Sequence, residues 1–269
     1  SVRKARAGGL TTVNIMSGSG HLLSGQTIYL KLRKGETVED LMILDTGGKP
    51  RGGMKMANGT NSIKTAPFPG TRGKSAALVR EQYIKAQAYQ KKLAAAKEDP
   101  GKAPERDLAM EALVEVLEGK RVVHHHTHRH DDILTVLRLR EEFGFRLVLH
   151  HVSEAWKVAP QIAAAKVPCS IILLDSPGGK LEARDIEWRN RAELEKLGVV
   201  TSFHTDDPIN DSRWFLRSGG FAVRAGMSRH GALYALTMAG AVQLDMEERV
   251  GSLSAGKDAD FIILSGDPL

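Results

Sequence analysis

From position 121 onward the apolar residues alternate between two spacings. Short β-branched or apolar runs occupy residues 121–123 (RVV), 146–150 (RLVLH), 167–173 (VPCSIIL) and 199–204 (VVTSFH). Between them lie residues 131–143, 154–165 and 184–197, where apolar positions recur every three or four residues. The first kind predicts strands and the second helices. Strand followed by helix, repeated, makes a parallel sheet, because parallel neighbours need a crossover between them. Such a sheet either closes into a barrel or stays open and doubly wound. Polar residues stand directly after, or at the end of, successive strands: Lys55 in GGMKMA, His126 after RVV, His151 after RLVLH and Asp206 after VVTSFH. Groups at the carboxyl ends of several parallel strands converge when the strands close around an axis, so the favoured fold class is an α/β (β/α)8 barrel of the TIM type.

The first half of the chain is less regular. Residues 8–16 (GGLTTVNIM) predict a buried strand after a glycine turn, SGSGHLLSGQ a flexible polar loop, and residues 27–32 (TIYLKL) a second strand. The run GGMKMA around Lys55 suits a third, and residues 58–73 form a long irregular loop. Residues 75–97 predict a helix with Val79, Tyr83 and Ala86 on one face. EDPGKAP breaks it, and a second helix follows over residues 106–117.

Composition narrows the classes. With 42% hydrophobic and 26% charged residues among 269, the chain suits a soluble globular protein, and no run approaches the roughly 18 apolar residues of a membrane span. The net charge of +6 comes from cations interleaved with acids, which argues against a nucleic-acid partner. One cysteine, Cys169, excludes an internal disulfide and a cysteine-based zinc site; within VPCSIILL it suits a small buried strand residue. SVRKARAGGLTTV carries no apolar leader, so a cytoplasmic setting is favoured over a secreted one.

Five of the ten histidines fall within residues 124–130 of RVVHHHTHRHDDI. By itself this cluster suits a polar strand-to-helix loop, with Asp131 and Asp132 as first-turn charge, as well as a metal site. Histidines on successive strands and an aspartate two strands later place imidazole and carboxylate groups around one point, a donor set suited to zinc or a similar divalent ion. Asp206 is then placed as a general base.

At these residues the chain resembles a known family. HTHRHDDILTVLRLREEFGFRLVLHHVSEA, FHTDDP and ERVGSLSAGKDADFIILSGDPL are similar to the amidohydrolase superfamily, in its imidazolonepropionase-related and prolidase-like group. AGGLTTVNIMSGSGHLLSGQ and GGMKMANGTN extend the likeness over nearly all of residues 1–269, one barrel domain. The resemblance implies that His126 ends the fifth barrel strand and His151 the sixth, both as ligands of one or two zinc ions. Asp206 would end the eighth as ligand and base, and Lys55 would stand where many members carry a carboxylated lysine bridging two metals. It also implies substrate contacts from His128 and Arg129, although Arg129 equally suits pairing with Asp131 or Asp132. A weaker pocket role falls to His21.

Two departures qualify this. The family's first-strand His-x-His pair, and the β-sandwich strands that flank the barrel, are not among these residues, so the chain reads as a fragment beginning near the second strand. Unpaired edges on the second and eighth strands would then invite association, including homo-oligomers, and the 269 residues alone would be poorly active. GTN at residues 59–61 stands where relatives commonly read Gly-Glu-Asn, which removes a carboxylate from the metal region. The leading expectation is a metal-dependent hydrolase of amide, peptide or cyclic amide C–N bonds in a small molecule or dipeptide. The alternatives are a catalytically impaired or purely structural relic of that family and a pH-responsive histidine surface.

Overall fold

The computed structural model describes residues 2–172 and 180–269. Among the described residues there are eight strands: β1 (Thr12–Ile15), β2 (Leu23–Gln26), β3 (Ile28–Lys31), β4 (Met54–Ala57), β5 (Val123–Thr127), β6 (Leu147–His151), β7 (Cys169–Ile172) and β8 (Thr201–His204). β4 through β8 run parallel as neighbours in sequence order, with β2 antiparallel on β4, giving the order β2-β4-β5-β6-β7-β8. The parallel strand-and-helix fold expected from the hydrophobic spacing is therefore present, and its sheet is open among the described residues, with β2 and β8 at the edges.

The helices Arg72–Glu98, Leu108–Leu117 and His130–Phe143 pack against one face of that sheet. In Arg72–Glu98 the residues Val79, Tyr83 and Ala86 are buried, three or four positions apart, and Thr71 caps the first turn by accepting from the Lys74 amide. Tyr83 stacks on Phe143 and Phe145 at 5.0 and 5.2 Å between ring centroids. His130–Phe143 buries Ile133, Val136, Leu139 and Phe143 and ends on Gly144 in the left-handed conformation, where lack of a Cβ removes the steric penalty. These residues form one core with Met54, Met56, Val123, Leu147, Leu149, Cys169 and Ile171 from the strands. Cys169 is fully buried, and burial pushes its thiol pKa up.

Several local expectations are corrected. Residues 8–16 do not form a buried strand of the main sheet; β1 is half-buried and pairs only with β3, antiparallel. The supposed loop SGSGHLLSGQ contains β2, whose polar LSGQ sequence carries no strand pattern and is held by pairing with β4. Residues 154–165 split into a 3-10 turn, Ala155–Lys157, and a short helix, Ala159–Ala164, which starts anew with Pro160 in its first turn. The helix expected over 184–197 is confined to Asn190–Lys196. The strand expected to reach Leu173 is seen over Cys169–Ile172, and Leu173 lies outside the described residues. The histidine cluster is not a loop: His124, His125 and His126 are inside β5 and buried.

Candidate metal centre

Side chains two apart on a strand share a face, and parallel register partners lie side by side. Lys55 pairs with His124, His126 with His150, His150 with Ser170, Ser170 with Ser202, and Ile172 with His204. The sheet face away from the helical core thus carries Lys55, His124, His126, His150, Ser170, Ser202 and His204. His151 ends β6 with φ +71, a left-handed turn that brings its ring to His126, 4.4 Å between centroids, and to His204, 4.8 Å. Hydrogen bonds link much of this face. Tyr29 Oη lies 3.3 Å from His124 Nε2, His124 Nδ1 lies 3.0 Å from His150 Nε2, and His204 Nε2 lies 3.0 Å from His151 Nδ1.

Among the described residues, buried polar atoms without a hydrogen-bond partner occur at several places, Asn14, Arg191 and Ser218 among them, and several cluster near the ends of β5 and β6. The cluster includes both ring nitrogens of His126, Nε2 of His151, Nδ1 of His150 and Oε1 of Glu182. Buried polar atoms of native proteins are nearly always bonded, so a set of orphans in one place points to a missing ligand. His126, His128 and Glu182 each present a donor atom, and these atoms lie within 4.8 Å of one another. His128 turns Nδ1 toward Ser153 Oγ at 2.7 Å, which leaves Nε2 for the centre. Glu182 reaches it because residue 59 is glycine at φ +76: a Cβ there would come 2.5 Å from Glu182 Oε2. The same oxygen accepts from Thr60 N at 2.6 Å and Thr60 Oγ1 at 2.8 Å. In space, then, the GTN segment positions a carboxylate that it does not itself contain. A divalent cation fits this set, since neutral imidazole nitrogens and a carboxylate oxygen are its usual donors.

Electrostatics agree with neutral imidazoles, the form that binds metal. Burial pushes His124 and His204 down to about 3 and His128 to about 4. It also holds His126, His150 and His151 well below the usual range, with neighbouring imidazoles adding to the effect. Lys55 is pushed down to about 8 by burial, against the opposing charge of Asp206 and with help from Lys180.

The residues singled out from the sequence are not all gathered here. His126, His128 and His151 pack against one another, and Lys55 is buried on the same face. Asp206 follows β8 on an exposed turn with φ +53, close enough for its charge to act on Lys55. Arg129 is bidentate on Asp131 at 2.9 Å. His21 is exposed in the turn before β2. Glu182 was not legible in the sequence: KLEARD has no motif, and its place depends on contacts with Thr60 and with Arg72, 3.5 Å away.

Comparisons with known proteins agree with the geometry. The sequence profile of the Amidohydrolase family matches residues 152–269. The amidohydrolase tasK of Hapsidospora irregularis is 26% identical over the whole of this chain, which spans only 30% of that protein's length. The crystal structure of an amidohydrolase from Thermotoga maritima is 35% identical and superposes with a TM-score of 0.91, over 99% of this chain and 69% of that one. With the histidine face, the parallel sheet and this likeness together, the chain belongs to the amidohydrolase family.

Proposed function

We propose that the protein to which these residues belong is a metal-dependent hydrolase of C–N bonds, and that His126 is the hub of its metal site. The observation that carries this is the pair of unpartnered nitrogens on His126, buried beside His128 and Glu182 and against His151 with its free Nε2. His126, His128 and Glu182 would hold a zinc or similar ion, with His151 Nε2 as a further donor beside them. When bound, such an ion supplies Lewis-acid polarisation of a carbonyl and acidifies water.

The chain's own residues supply the rest. Asp206, at the mouth of β8, offers a carboxylate oxygen that takes a proton from water and returns it to the leaving nitrogen. With its amine held near 8, Lys55 is partly unprotonated at neutral pH, so its Nζ lone pair can add to carbon dioxide, forming a carbamate and releasing a proton. That would turn a cation into an anion facing the histidines. Arg129 is already committed to Asp131, which favours His128 over Arg129 as the nearer group for the centre. Hydrolysis of an amide rests on the amidohydrolase names of the relatives, and a dipeptide or cyclic amide substrate on the resemblance read from the sequence.

The test is metal content by elemental analysis, together with hydrolysis of dipeptides, N-acyl amino acids and cyclic amides by the protein. Wild type should carry metal and hydrolyse at least one class. His126→Ala should lose both, and Asp206→Asn should keep metal and lose turnover. A metal-free, inactive wild type, or a His126→Ala variant with full metal, would sink the proposal.

A further inference from the structure

A line of hydrogen bonds leads away from His151 and fixes more than position. Gln243, in the helix Met238–Gln243, bonds through Nε2 to the Cys169 carbonyl at 3.0 Å and through Oε1 to Ser202 Oγ at 2.7 Å. Ser202 Oγ lies 3.0 Å from Ser170 Oγ, Ser170 Oγ 2.9 Å from His204 Nδ1, and His204 Nε2 3.0 Å from His151 Nδ1. Gln243, Ser202 and Ser170 are all buried, so water does not compete for these links.

Each hydroxyl has one hydrogen, and the direction of every bond follows from one end. A carbonyl only accepts, so the Gln243 amide must face Cys169 with its NH2 and Ser202 with its oxygen. Ser202 therefore donates to Gln243 and has no hydrogen left for Ser170. Ser170 donates to Ser202 and can only accept from His204. A neutral His204 then carries its hydrogen on Nδ1 and presents a lone pair at Nε2. His151 must donate from Nδ1, which leaves the lone pair of His151 on Nε2, the atom that has no protein partner.

We infer that Gln243, Ser202, Ser170 and His204 form a one-way relay that sets the tautomer of His151, holding its Nε2 as a ready metal ligand before any ion arrives. This rests on the metal-site reading above for its purpose, and on the hydrogen bonds alone for its direction. Gln243, Ser202 and Ser170 are positioning residues: they act on the centre through His204 and His151. Outer partners of this kind commonly change metal affinity by about 10–100-fold when removed.

The deciding measurement is a long-range proton–nitrogen NMR correlation on the metal-free chain, which separates protonated from lone-pair ring nitrogens, with His151 assigned by comparison with His151→Gln. The wild-type spectrum should show His151 protonated at Nδ1 only. Ser202→Ala and Gln243→Met each free a hydroxyl hydrogen to turn toward His204, so His151 should then populate the Nε2–H form and zinc affinity should fall by about 10–100-fold. A wild-type His151 protonated at Nε2 overturns the relay, and does so whether or not either variant folds. So do folded Ser202→Ala and Gln243→Met chains that both keep the wild-type tautomer. A wild type with the expected tautomer that binds no zinc overturns the metal reading and leaves the relay standing.

Discussion

The two faces of one sheet have been built on opposite principles. Toward the helices, Met56, Val123, Leu149, Cys169 and Ile171 pack into a dry core. On the other face, Lys55, His124, His126, His150, Ser170 and Ser202 are also buried, and His204 is half-buried. Parallel strands covered on both sides are usually apolar throughout. Here the second face is polar and stays buried because its groups satisfy one another through imidazole and hydroxyl hydrogen bonds, which offset the cost of leaving water. That bonding stops at His126, whose ring nitrogens are both unpartnered, and at Nε2 of the His151 ring packed against it. The apolar face carries stability, and the gaps in the polar face motivate the proposed metal site.

The comparison can be broken from either side. The largest effect is expected on the apolar face: Leu149→Ala, at a fully buried position, should lower the unfolding free energy by about 2–5 kcal/mol in a denaturant titration. Its folded fraction should keep the zinc stoichiometry of wild type. Next comes the metal itself. At a zinc concentration about 100 times the dissociation constant, wild type should gain about 2.7 kcal/mol of stability, reversed by chelator. His126→Ala should show no such gain, while costing the metal-free fold less than Leu149→Ala, since its ring makes no hydrogen bond to lose. A full zinc-dependent gain in His126→Ala would place the ion elsewhere. The smallest effect belongs to Thr60→Val, which removes one hydrogen bond to Glu182 and should cost about 1 kcal/mol in the same titration. Isothermal titration should show weaker zinc binding as the Glu182 carboxylate loosens; unchanged affinity would remove Glu182 from the centre.

Much of this arrangement was legible in the chain. The alternating spacings after position 121 announced parallel strands and helices, and the pattern RLVLH placed His151 at the end of a strand, whereas His126, expected just after the run RVV, lies inside β5. β2 was not legible, because LSGQ has no strand character of its own and exists by pairing with β4. The polarity of β5 pointed toward a loop, since three successive histidines leave no hint that Tyr29 and His150 will bond His124 or that the His126 carbonyl will bond His125. Glu182 was silent for the same reason: its carboxylate gains meaning only when Gly59 leaves room and Thr60 supplies two donors.

What the sequence determined by itself is periodicity and approximate address: the alternation of strands and helices after position 121 and the strand-end place of His151. Those depend on residues a few positions apart, and so on local backbone geometry. What only the tertiary structure decided is company. The joining of His126 to Glu182, and of His151 to Gln243 through His204 and two serines, spans distant parts of the chain. Contacts at that separation are set by how strands stack and where loops return, and no local pattern encodes them.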